Sequence, residues 1–172
     1  MDRVRAATVE DLEAIAGISV RGWRFAYRGH VPDEILDGLS EEERVREWGE
    51  RVREPGDTRA WVVEREGRVA GFAFTGPGRD PDLPRAAGDL YALYVEPAAV
   101  GTGLGRELFA RAVDDLSERG FDPVVVWVLR ENERARRFYE RAGFREDGAT
   151  KVEDYEGAPM HEVRYRADSS IR

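Results

Sequence analysis

The stretch Leu90–Arg119, LYALYVEPAAVGTGLGRELFARAVDDLSER, decides the fold. An apolar strand runs into a turn with glycines at 101, 103 and 105. The turn opens a helix on which Leu104, Leu108, Ala112 and Leu116 form one stripe with Phe109 and Val113. Without a Cβ, Gly101, Gly103 and Gly105 let the backbone bend tightly and aim successive N–H groups at one point, and a helix start adds its positive dipole end. The turn therefore suits a phosphate. A strand-to-helix turn also takes glycine for geometry alone, and both readings stand at this stage. Gly120 ends the helix.

Downstream, Pro123 precedes Val124–Leu129, a continuous apolar run that reads as a central strand covered on both faces. It leads into RENERARRFYERAGF, Arg130–Phe144, where Asn132 is typed as the N-cap of a helix over Glu133–Ala142. Together the two segments resemble the GNAT superfamily of acyl-CoA-dependent N-acetyltransferases. That family's phosphate loop has Arg or Gln, two residues, Gly, one residue, then Gly or Ala. VGTGLG, Val100–Gly105, matches both small positions and places Val100 where the basic or amide side chain usually stands. The second pattern of the family is met in full by Asn132, Ala135, Phe138, Tyr139, Gly143 and Phe144.

The resemblance implies a mixed α/β fold, a mostly antiparallel central sheet with helices on both faces and a splayed strand pair that holds acetyl-CoA. It implies backbone contacts to the donor at Leu93, Tyr94 and Val95, with the acetyl carbonyl at the Val95 amide. A phosphate cradle follows over Val100, Gly101, Thr102, Gly103, Leu104, Gly105 and Arg106, and there are further contacts at Asn132 and Phe138. Arg134, Arg136, Arg137 and Arg141 on the second helix read either as phosphate partners or as its solvated face.

Acetyl transfer to an amine makes two chemical demands. A lysine-like amine, with pKa about 10.4, must lose a proton before it attacks, and the leaving thiolate profits from a proton donor. Tyr139 matches the family's tyrosine acid; its other reading is packing beside Phe138. Asp89 stands where many members carry an acid and reads either as the base or as an exposed residue capping its strand. By period-two alternation Asp89 shares a face with Tyr91 and Leu93. Glu96 is the second candidate base. The substrate-binding residues implied are Trp23, Tyr27 and Tyr91; Trp23 and Tyr27, one helical turn apart, also read as core staples.

The remaining elements follow from local signals. A first helix begins near Thr8 and runs to Gly29, a short one follows Pro32, and Ser40 with Glu43 opens a charged helix to about Arg53. Ala60–Glu64 and Val69–Phe74 read as a hairpin. Residues 76–88 read as a loop that either shapes an acceptor pocket or runs over the surface. Phe144–Glu146 and Pro159–Arg166 read as the last strands, separated by a polar loop at Asp147–Gly157.

At 172 residues the chain suits one domain. It has no cysteine, which excludes disulfides, a thiol nucleophile and a cysteine-based metal site, and only two histidines, His30 and His161, so no metal is expected. A net charge of −8 disfavours nucleic acid and favours amines. Lys151 is the only lysine. No targeting signal or membrane-length apolar run is visible, so the expected location is cytoplasmic, with no membrane partner. The expected partner is a small-molecule or peptide amine. A homodimer through Val163 and Tyr165 is a further expectation. Two readings compete: an acyl-CoA-binding sensor without turnover, and a dinucleotide loop, which lacks its third glycine because Leu108 stands there.

Overall fold

In the computed structural model, which describes residues 3–168, seven strands form one sheet in the order β1-β2-β3-β4-β5-β7-β6. The strands are β1 Arg3–Ala6, β2 Arg59–Arg65, β3 Arg68–Pro77, β4 Gly88–Val95, β5 Val124–Leu129, β6 Arg145–Tyr155 and β7 Ala158–Ala167. The helices are α1 Leu12–Tyr27, α2 Asp33–Asp37, α3 Glu41–Arg53, α4 Leu104–Glu118 and α5 Glu133–Arg141. All neighbouring strands are antiparallel except β4 and β5.

Local chemistry explains most of the boundaries. The β2–β3 turn uses Glu66 and Gly67, both at positive φ (52° and 75°), the backbone that matches strand twist in a two-residue hairpin. Ser40 caps α3 by accepting the Glu43 N–H at 3.2 Å. At the start of the first helix the sequence reading is shifted. Val9–Asp11 form a single 3-10 turn, and α1 proper starts at Leu12, with Asp11 accepting the Thr8 N–H at 2.8 Å and bonding Arg5 of β1.

The two faces of the sheet bury separate cores. The α4 stripe of Leu104, Leu108, Ala112 and Leu116 packs with Val124, Val126 and Val128 of β5 and with Phe144. On the other face α1 and α3 bring Ile15, Ile18 and Trp48 onto Phe72 and Phe74, and the Trp48 ring stacks on Phe74 at 4.3 Å. Burial of such side chains contributes about 1.5–3 kcal/mol each. With both faces covered, β5 reads as a continuous apolar run rather than an alternating one.

The C-terminal strands correct the sequence reading. The expected polar loop at Asp147–Gly157 is largely strand: β6 runs to Tyr155, with a register shift between Glu146 and Thr150 and a turn at Glu156 and Gly157. As an exposed edge, β6 carries charge on both faces, which hides its period from hydropathy. β1, the opposite edge, is short, charged and hidden for the same reason. Val163 and Tyr165 are not a dimer surface; both lie in the α4-side core.

Candidate active site

β4 and β5 are hydrogen-bonded neighbours over only two residue pairs, Gly88 with Val124 and Asp89 with Val125. Beyond that point they diverge, and the opening is a cavity of about 70 Å³ lined in part by Leu93, Tyr94, Val128, Asn132 and Tyr139. On its other edge β4 stays paired to β3. The Glu96 N–H donates to the Ala70 carbonyl at 2.8 Å, and successive amides of a strand turn to opposite edges. Val95 and Leu93 therefore present their N–H groups to the opening. Tyr94 does not: its amide faces Phe72 in the β3 ladder, so its contribution to the opening is its side chain.

One extra residue in β4 changes which side chains share a face. The β3 partner of Ala92 is Phe74 and that of Leu90 is Thr75, leaving Tyr91 as a bulge. Leu93 consequently packs with the α4-side core, while Tyr91 and Tyr94 pack on the α1–α3 side. The face shared by Asp89, Tyr91 and Leu93 that strict alternation predicts does not exist.

Past β4, a 3-10 turn at Pro97–Ala99 leads into the glycine loop, where Gly101 and Gly103 adopt φ of +85° and +95°. Gly103 is the N-cap of α4. The Val100 and Thr102 amides turn back onto the Pro97 and Ala99 carbonyls, and the Thr102 hydroxyl also donates to Ala99. Those two residues shape the loop, and the amides left for an anion are those of Gly101, Gly103 and the first helical turn, Leu104, Gly105 and Arg106. A Cβ at Gly101 would stand 3.6 Å from the Arg134 guanidinium, and one at Gly103 would stand 3.9 Å from that of Arg106. Neither arginine has an ion pair or hydrogen bond among the described residues. Arg136, by contrast, bonds Tyr165 and Glu146, and Arg137 bonds Glu133. Two uncommitted cations thus flank a loop that lacks a basic residue at Val100. The sequence singled out Arg106 but not Arg134, whose distinction is only its position over the loop.

Asn132 caps α5, accepting the Ala135 N–H at 3.2 Å, and also lines the opening. Phe138 stands edge-on to Phe109 at 5.4 Å and borders Gly105. Tyr139 is 6% exposed, ringed by Phe109, Phe144 and Tyr165, and lines the opening. Burial, with Tyr94 nearby, raises its phenol above the usual tyrosine range, so it stays protonated at neutral pH.

On the other side of the opening the Tyr27 and Tyr94 hydroxyls lie 3.3 Å apart, and Trp23 meets Tyr27 edge-on at 4.9 Å. Trp23 also packs on Tyr155 of β6 and under the Arg44 guanidinium, so it is the staple and Tyr27 the lining residue. The Tyr91 hydroxyl donates to Pro77, and its ring lies 4.2 Å below Arg79.

Asp89 is 1% exposed and sits at the apex where β4 and β5 part. Its nearest cation is Arg79, with Nε 3.5 Å away, and its Oδ2 has no hydrogen-bond partner. Burial pushes the carboxyl up to about 6, against the pull of Arg79. It is not the exposed strand cap that the alternative reading describes. Glu96 is held by Arg21 through two contacts of 2.5 and 3.0 Å at the loop entrance.

Sequence reasoning missed Glu162. It lies on β7 opposite Leu129 of β5, its carboxylate is 3.6 Å from Lys151 Nζ, and burial raises its carboxyl above the usual range. Alternation on β7, with Val163 and Tyr165 in the α4-side core, puts Glu162 on the opposite face with Met160 and Arg164 but marks none of them as functional. Residues 78–87 are a pinned loop: Arg164 bonds both Asp80 and Asp82, and Trp127 Nε1 donates to Asp80 at 2.9 Å. Among the described residues no cluster of His, Asp and Glu could hold a metal ion.

The model of the acetyltransferase (GNAT) family matches residues 23–144. The chain is 34% identical over 133 residues to the uncharacterized N-acetyltransferase YuaI of Bacillus subtilis, covering 77% of this chain and 74% of that one. It is 44% identical over 143 residues to a mycothiol acetyltransferase of Beutenbergia cavernae, covering 83% of this chain; it spans only 45% of that relative's length. Among solved structures, the PaiA N-acetyltransferase of Thermoplasma acidophilum in complex with coenzyme A superposes with a TM-score of 0.72 at 20% identity, over 97% of this chain and 99% of that one. The chain belongs to the acetyltransferase (GNAT) family.

Proposed function

We propose that the chain transfers the acetyl group of acetyl-CoA to a primary amine of a small molecule or peptide by direct attack in a ternary complex, within a single domain. The observation that carries this reading is the gap between β4 and β5, which faces unpaired Leu93 and Val95 amides on one edge and the Tyr139 phenol on the other. The pantetheine arm would pair with the open edge of β4 as an added strand does. The Val95 N–H is then the donor for the oxyanion that forms when the amine adds to the thioester.

The phosphates fit the amides of Gly101, Gly103, Leu104, Gly105 and Arg106, with Arg134 and Arg106 as counter-charges. Asp89 takes the proton of the incoming ammonium, directly or through a water, and a carboxyl poised at about 6 is ionised yet basic at neutral pH. Tyr139, protonated and in an apolar ring cage, returns a proton to the departing thiolate. Tyr27, with Tyr94 and Tyr91, walls the acceptor side. A sensor without turnover has no use for a caged phenol at this point, and family membership favours the enzyme.

The several mycothiol acetyltransferases among the relatives favour a small-molecule amine. The location we propose is cytoplasmic; among the described residues no helix is long and apolar enough to cross a membrane. The homodimer we propose uses the free edge of β6, where Val152 is 59% exposed, since Val163 and Tyr165 are buried. The test of the reaction is thiol release from acetyl-CoA across a panel of primary amines. Intersecting initial-rate lines are expected, and saturable acetyl-CoA binding with no transfer to any amine would overturn it.

A further inference from the structure

The only lysine of the chain lies beside the proposed acceptor site. Lys151 projects from β6 so that its Nζ stands 4.4 Å from the centre of the Trp127 ring, 3.0 Å from Glu153 and 3.6 Å from Glu162. Trp127 lines the gap between β4 and β5, and Glu162 pairs in register with Leu129, which lines it too. The amine therefore rests against one lining residue, Trp127, on a side chain 29% exposed whose four rotatable bonds give it reach.

We propose that Lys151 is a self-acetylation site, modified by the chain's own acetyl-CoA. The proposal rests on the transfer reading above. In this step Nζ passes its proton to the Glu162 carboxylate and its lone pair adds to the thioester carbonyl. The C–S bond breaks, the thiolate leaves with the Tyr139 proton, the second proton shed by Nζ returns to that phenol, and an amide N–C bond remains on Lys151. Burial already holds the Glu162 carboxyl above its usual range, which suits it to accept that proton. The product removes the only cation paired with Glu153 and Glu162 among the described residues, so the acceptor side of the groove becomes one charge more negative.

The experiment incubates the purified full chain with acetyl-CoA and follows intact mass and peptide mass spectra, with acetyl-CoA binding and transfer to small amines measured on the same sample. A single acetyl group on Lys151 is expected, at a first-order rate independent of protein concentration. It should be absent in Lys151→Arg and at least about tenfold slower in Tyr139→Phe and in Glu162→Gln. An unmodified Lys151 in protein that acetylates small amines would overturn the proposal and leave the transfer reading intact. Modification at an unchanged rate in Tyr139→Phe would mean uncatalysed acylation and would also overturn it. Failure of acetyl-CoA to bind at all would overturn both.

Discussion

Asp89 and Val125 are the last residues at which β4 and β5 pair, so a buried carboxylate marks the point where the sheet splits. The same residue that closes the ladder carries an Oδ2 with no hydrogen-bond partner. A buried group left in that state costs stability, and such strain gathers where chemistry needs it.

Asp89 should make stability fall as pH rises. Its folded pKa of about 6 lies above its ordinary value of 3.8, so between those values the folded state binds more protons than the unfolded chain. The stabilisation present below pH 3.8 is lost by about pH 6, and two units correspond to about 3 kcal/mol. Asp89→Asn should therefore flatten the pH dependence of thermal unfolding and raise Tm by several degrees at neutral pH. The same variant should lose about 10²-fold in kcat/KM, and the wild-type ascending limb should centre near pH 6. A less stable variant with full activity would remove Asp89 from both roles.

Tyr139→Phe deletes only a hydroxyl that bonds nothing among the described residues, and the ring packing with Phe109 and Phe144 stays. Steady-state kinetics should show kcat lowered by about 10²-fold, with acetyl-CoA affinity within about twofold and Tm unchanged. An unaltered kcat would reduce Tyr139 to a packing residue.

Arg134→Ala and Arg106→Ala should each weaken acetyl-CoA binding about tenfold, as expected for one charge-assisted contact to phosphate, with kcat at saturation preserved. Titration calorimetry at two salt concentrations would check it, since a lost phosphate contact also lowers the salt dependence. Binding unchanged in the double variant would leave the loop amides alone to hold the phosphates.

Gly101→Ala forces a Cβ into a backbone at φ +85°, a region that costs an L-residue about 1–2 kcal/mol. Thermal melting should fall by about 2–8 °C, and acetyl-CoA affinity should drop with it. A variant with wild-type Tm would mean that the loop relaxes without strain.

The sequence made the centre of the fold legible because its signals are strong and local: the α4 stripe, the apolar β5, the Ser40 cap and the Asn132 cap all lie where hydropathy and capping place them. The edges were opaque for the converse reason. β1 and β6 face solvent and carry charges, so their period is not written in hydropathy. The bulge at Tyr91 could not be seen either, because a bulge is a property of the β3 partner as much as of β4. That is why strict alternation assigned Leu93 to the Asp89 face, whereas the open amide at Tyr94 came with the family resemblance. Glu162 and Arg134 became visible only when the chain brought them to the gap and to the loop.

The most direct measurement of the central claim is amide hydrogen exchange, residue by residue, with and without acetyl-CoA. The proposed grip predicts that the Leu93 and Val95 amides exchange readily in the free protein and become protected on binding, while the Tyr94 amide is protected in both states. Leu93 and Val95 unchanged by saturating acetyl-CoA would contradict it.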